Sequence, residues 1–174
     1  MNRMVIGVDP GINGAVSSLL LDGSSAICLE ASSVCIPVVK GGKKTVYDVK
    51  AIYEHLRTFR NAADIKNVII FIEKTQPMFG KAVQASWGLG RCEGLMEMCA
   101  VALQCPYEFV QPKTWQKHFG ISKSKGDTKV QSVATAKQLF PAITFETPRG
   151  RVLDGVADSL LIAEYGRRKL CGGV

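Results

Sequence analysis

The chain carries no metal-binding cysteine pattern. Its six cysteines, Cys28, Cys35, Cys92, Cys99, Cys105 and Cys171, form no C-x-x-C pair, and its two histidines, His55 and His118, stand alone. The usual zinc-ligand spacings are thereby excluded, and a thiol nucleophile paired with His118 has no local support. Reduced thiols, mostly small core residues, are expected in a cytosol-like compartment. Also missing is any apolar run long enough to span a membrane, so no membrane partner is expected. The apolar start holds Arg3 and Asp9 and does not read as a secretory signal. The expectation is a cytoplasmic protein, or one of an organelle matrix after processing, rather than a secreted one. No internal repeat, low-complexity segment or linker breaks the 174 residues, which read as one domain over 1–174 with a real core. Acids are the scarcer charge: 15 Asp and Glu face 22 Lys and Arg, a net +7 that suits an anionic partner such as nucleic acid.

What is present begins with Val5, Ile6 and Val8, a buried-strand signal that Pro10-Gly11 stops with Asp9 at its tip. Ala15 to Leu21 is a second strand, Asp22-Gly23 a hairpin signal, and Ala26 to Ala31 a third strand, giving an antiparallel meander. Ser32 to Val39 is a further extended piece. Lys40-Gly41-Gly42-Lys43-Lys44 reads as a flexible basic loop, a solvated turn by itself and a phosphate-contacting flap beside an acidic site. Asp48 caps a helix running to Ala62, with Ile52, Leu56 and Phe59 on one face. Val68 to Ile72 is unbroken apolar and ends in Glu73, the pattern of a parallel strand buried on both faces. A helix between two strands of one sheet makes them parallel, so Asp9 and Glu73 emerge at the same edge, where open α/β sheets place their sites.

A long helix is predicted over Lys81 to Leu103, with Gly88, Gly90 and Gly94 tolerated for close packing. Its Met/Leu/Cys stripe suits core packing and a dimer face equally. Tyr107 to Val110 is a fifth strand, and Pro112 to Phe119 a short helix anchored by Trp115. Asp127 caps a helix to Phe140, Ile143 to Phe145 is extended, and Thr147 to Arg151 is a basic turn. The last helix is predicted over Leu153 to Lys169. The chain is thus α/β, with a five-stranded mixed sheet flanked by helices.

Asp154 and Asp158 stand four apart in that last helix and share one face. Asp154 has an equal alternative as the helix cap. Asp158 lies within an apolar stretch, where an acid needs a partner. If this helix packs by the sheet edge, Asp9, Glu73, Asp154 and Asp158 converge. Such a cluster calls for cations, and all-oxygen ligands favour Mg²⁺ or Mn²⁺. Two ions about 4 Å apart would activate a water and stabilise the leaving oxygen of a phosphodiester. The candidate DNA contacts are basic or loop residues: Lys43, Lys44, Lys81, Lys113, Lys117, Lys123, Lys125, Arg149, Arg151 and the apolar pair Met78-Phe79.

In their order, Gly7-Val8-Asp9-Pro10-Gly11 with Gly14-Ala15, the strand ending Ile72-Glu73, and Asp154-Gly-Val-Ala-Asp158 resemble RuvC-type Holliday junction resolvases. Gly11-Ile12-Asn13-Gly14-Ala15, Glu73-Lys74 and Asp127-Thr-Lys-Val-Gln are similar to the phage and chloroplast members. The resemblance covers nearly the whole chain. It implies a ribonuclease H-like fold, a homodimer, and Mg²⁺-dependent paired nicking of four-way DNA junctions that leaves 5′-phosphates. Asp9, Glu73, Asp154 and Asp158 would be the catalytic metal ligands. Bacterial members space the last two acids by three residues, where this chain has four. The lysine that members carry ahead of the penultimate helix has two candidates, Lys123 and Lys125, with Asp127 an alternative occupant of that register. A general branched-DNA nuclease or a ribonuclease H shares the fold and metals. An actin-like ATPase domain is the more remote alternative: the chain has room for one such domain where that architecture needs two, and no Walker-type loop is present.

Overall fold

The computed structural model describes residues 2–24, 27–42, 44–63, 67–76 and 83–173. Five strands form one sheet: β1 (Arg3–Asp9), β2 (Ala15–Leu21), β3 (Cys28–Cys35), β6 (Val68–Glu73) and β7 (Tyr107–Val110), in the order β3-β2-β1-β6-β7. β1 pairs antiparallel with β2 and parallel with β6, and β6 pairs parallel with β7. The expected five-stranded mixed sheet is therefore the observed one.

Three details differ from the sequence reading. β3 starts at Cys28, and the expected start at Ala26 lies outside the described residues; Asp22 closes the turn, its backbone N–H donating to Ile27 O at 3.0 Å and its carboxylate accepting from Ile27 N at 3.1 Å. The basic loop is instead the turn of a two-stranded hairpin, β4 (Val38–Gly41) and β5 (Lys44–Tyr47), which takes up Lys40 and Lys44. Ile143–Phe145 is no strand; the one ladder contact there is the isolated bridge Glu146–Val152.

The helices are α1 (Val49–Asn61), α2 (Val83–Ala102), α3 (Pro112–His118), α4 (Thr128–Leu139) and α5 (Asp154–Leu170). Asp48 and Asp127 cap α1 and α4 as their chemistry demands, accepting from Ala51 N at 3.0 Å and Lys129 N at 2.8 Å. Alternation along β1 splits the core. Val5 faces a cluster with Trp115, Phe140, Val156 and Leu160, while Met4, Ile6 and Val8 face one with Ile52, Leu56, Cys92 and Met96. Three cysteines are buried and three exposed, fewer in the core than expected.

α5 lies directly on β1. A Cβ at Gly7 would stand 2.2 Å from Ser159 O, so only glycine lets the helix backbone come this close. A 2.6 Å hydrogen bond between the buried Ser17 and Ser159 hydroxyls then fixes α5 along the sheet. At its first turn, a Cβ on Gly155 would meet Asn13 O at 2.3 Å. The start of α5 is therefore seated on the turn that follows Asp9.

Candidate active site

Asp9 is the last residue of β1 and Glu73 the last of β6. Their strands run parallel in register, with Val8 beside Ile72, so the two carboxylates leave the sheet side by side. α5, seated as described, adds Asp154 and Asp158 from one face. All four acids line a single cleft of about 550 Å³, with the Pro10–Gly14 turn, Lys74–Gln76, Leu89, Pro112 and Lys129 as its other walls. Asp154 is the first residue of α5, and the cap position is Leu153, which makes no side-chain cap bond. Asp154 is thus not the cap; its carboxylate goes into the cleft.

Crowding and burial act together on these acids. Burial, then the charges of Glu73, Asp158 and Asp154, holds the Asp9 carboxyl well above its ordinary value. Burial pushes Glu73 up to about 7, with the Asp158 charge adding and a hydrogen bond from Trp115 opposing. Burial likewise pushes Asp158 up to about 6, against an offset from the neighbouring Ser132 hydroxyl. Oδ1 of Asp158 is nevertheless buried without a hydrogen-bond partner.

Three residues that the sequence reading did not place in the site shape it. Trp115, the buried residue of α3, donates from Nε1 to Glu73 Oε1 at 2.8 Å and so orients that carboxylate. Lys129, in the first turn of α4, pairs through Nζ with Asp154 Oδ2. That hydrogen bond, with the Asp154, Asp158 and Asp9 charges, raises the Lys129 ammonium's pKa against the pull of burial. Neither Lys123 nor Lys125 reaches this cleft. Lys129 sits inside Asp127-Thr-Lys-Val-Gln, so the motif held the signal. Glu93 on α2 is the third. It accepts from Lys74 Nζ at 2.7 Å and Thr75 N at 2.6 Å, pinning the chain just past Glu73.

Among the described residues, no three His, Cys, Asp or Glu side chains already form a closed metal-ligand group. The donor set still fits a hard divalent cation. It is all oxygen, its charges are mutually repulsive, one buried carboxylate oxygen is orphaned, and the cation now within it is an ammonium. Asp9, Glu73, Asp154 and Asp158 are the residues that would hold such an ion.

The candidate DNA contacts divide by location. Lys113, Lys117, Lys123 and Lys125 line one groove of about 470 Å³ between α3, the 3-10 turn Lys123–Lys125 and α4. Lys44 lines another groove with Trp87 and Arg91, reached past Ile12 at the rim of the acid cleft. Arg151 lines a groove beside α4, and Arg149 is exposed in the turn before it. Lys43, Met78, Phe79 and Lys81 lie outside the described residues. His118 packs edge-on against Phe119 and Tyr165, and its Nε2 stands 3.3 Å from Arg168.

Sheet order, parallel pairing and helix placement define the ribonuclease H-like fold of RuvC-type proteins. Thermus thermophilus RuvC, solved in complex with a Holliday junction substrate, is similar over 98% of each chain, with a TM-score of 0.60 and 14% identity. A second T. thermophilus RuvC structure gives 0.57 and 15% over the same 98% of each chain. The fowlpox virus Holliday junction resolvase gives 0.51 and 13%, covering 97% of this chain and 99% of its own. No protein-family model matches the chain, and no curated protein matches its sequence. At these identities the likeness is one of fold.

Proposed function

We propose that this protein is a metal-dependent endodeoxyribonuclease that resolves four-way DNA junctions by paired nicks, akin to the phage and chloroplast RuvC-type members. The observation that carries this is the convergence of Asp9, Glu73, Asp154 and Asp158 on one cleft, with Lys129 among them. When bound, Mg²⁺ would supply a water-derived nucleophile at neutral pH and charge neutralisation at the leaving oxygen. The chain's own residues do the rest. Trp115 fixes the Glu73 carboxylate. Lys129, ion-paired to Asp154, exchanges that carboxylate for a non-bridging oxygen of the scissile phosphate and offsets its charge. Lys113, Lys117, Lys123 and Lys125 hold the phosphates of a duplex arm.

Paired cuts need two clefts related as the two strands are, which a two-fold dimer supplies. α2 is the face proposed for it. Among the described residues, a Cβ at Gly88, Gly90 or Gly94 would meet nothing within 4 Å, and Trp87, Met98 and Val101 on the same helix are exposed.

The test is purified protein with Mg²⁺ on synthetic four-way, three-way, flap and linear duplex DNA and an RNA–DNA hybrid. The proposal expects four-way junctions to be cut into ligatable duplexes far ahead of the rest. Comparable cutting of all DNA forms would make it a general nuclease, and preference for the hybrid a ribonuclease H.

A further inference from the structure

A second groove adjoins the acid cleft and shares two of its walls. It runs between α4 and the Arg151-Val152 segment, measures about 620 Å³, and is lined in part by Lys129 and Asp154, which also line the cleft. Its floor is apolar: Val130, Val133 and Val152. Val130 is 67% exposed and Val152 48%. β-branched side chains so open to water are an anomaly for a core but ordinary for a binding surface. Lys137 and Arg151 stand on the rim. Lys137 pairs with Glu146 at 3.0 Å, both side chains being about half exposed, a pair weak enough to exchange for a phosphate.

We propose that this groove is a nucleotide subsite, which takes the unstacked base of a nucleotide next to the scissile phosphate while Lys137 and Arg151 hold the flanking phosphates. The inference rests on the nuclease reading above and adds to it a place where the strand is gripped by its base. Three observations favour a nucleotide over other occupants. The volume lies in the range of small-molecule sites. The floor offers no hydrogen-bonding side chain and suits the flat face of a base, as apolar side chains do where bases leave the stack. The cationic rim matches a phosphodiester chain, and continuity with the carboxylates places that chain one step from the bond to be cut. An intact duplex does not fit this description, because its base faces are stacked away; a branch point supplies free ones.

The experiment uses four-way junctions carrying 2-aminopurine, in turn, at each nucleotide flanking the cut, titrated with the whole chain in Ca²⁺ in place of Mg²⁺. The expected result is a severalfold rise in fluorescence at one position. In the Val130→Ser/Val152→Ser double variant, whose changes are at exposed positions, that rise should vanish while junction affinity changes by less than about threefold. A rise that persists in the double variant overturns the subsite. Tight binding with no position that brightens also overturns it, and leaves the groove to another occupant, such as a protein segment. No junction binding at all would bring down the nuclease reading together with the subsite.

Discussion

The two long helices on opposite faces of the sheet both contain glycines, for opposite reasons. In α5 the glycine positions are filled by neighbours: a Cβ at Gly155 would strike Asn13 O at 2.3 Å, and one at Gly166 the Phe71 ring at the same distance. In α2 a Cβ at Gly88, Gly90 or Gly94 would meet nothing within 4 Å among the described residues. The first set presses a helix onto the sheet and so aims Asp154 and Asp158 at Asp9 and Glu73. The second leaves room beside the helix, with Gly90 exposed and Gly88 and Gly94 half-buried, at a helix-propensity cost that no close packing among the described residues offsets. One face builds a site; the other is the one proposed above for a second copy of the chain.

Four substitutions or conditions sharpen this contrast. The greatest effect belongs to the acids that α5 and the sheet bring together. Asp9→Asn, Glu73→Gln or Asp158→Asn should lower Mg²⁺-dependent cleavage on the order of 10³-fold. Junction affinity should hold or tighten, since a negative charge near phosphate is lost. Single-turnover cleavage beside a binding titration checks it, and near-normal turnover would remove that residue from the site.

Next is the filled interface. Gly155→Ala or Gly166→Ala should cost about 3 kcal/mol or more in urea unfolding, because backbone or a buried ring must move. A loss below about 0.5 kcal/mol would mean that α5 is not held by close approach.

The third effect is a pH dependence. Glu73 and Asp158 titrate near 7 and 6 in the folded chain, against 4.5 and 3.8 for the free side chains. Between those limits the folded state holds protons that the unfolded state has lost, so stability falls as pH rises. Together the two groups should cost the metal-free protein on the order of 5 kcal/mol from pH 4.5 to pH 8. Glu93 and Glu164 are shifted the other way, and their opposite slope lies below pH 4.5. Asp158→Asn should flatten the profile and raise the melting temperature at pH 8. A profile already flat in the wild type would contradict the strain assigned to the cluster.

The smallest effect has the opposite sign to the second. Gly90→Ala in α2 should stabilise the separated subunit by roughly 0.5–1 kcal/mol through helix propensity. It should weaken self-association at the same time, as read by sedimentation equilibrium. Stabilisation with unchanged association would move the interface off α2.

Legibility followed the distance over which each feature is encoded. Asp9 and Glu73 were readable because each ends its own apolar strand, and the α1 crossover makes those strands parallel. Asp48 and Asp127 were readable as caps from neighbouring residues alone. The β4–β5 hairpin was not, because its strands are only four residues each, β4 is exposed throughout, and neither shows the alternation that marks a half-buried strand. Trp115 carries no local mark of its role, since it bonds a residue 42 positions away, and Lys129, whose partner is 25 away, is marked only by the Asp127-Thr-Lys-Val-Gln motif around it. The glycines of α5 and α2 look alike in the sequence, and only their surroundings separate them.

The most direct test joins the two faces in one molecule. A differently tagged mixed dimer, with Asp9→Asn in one subunit and an intact partner, is given a strand-labelled four-way junction and Mg²⁺. A site built by the sheet and α5, doubled through α2, predicts a nick on one strand only and few resolved duplexes. Paired cuts at the wild-type yield, or sedimentation of the active protein as a monomer, would contradict it.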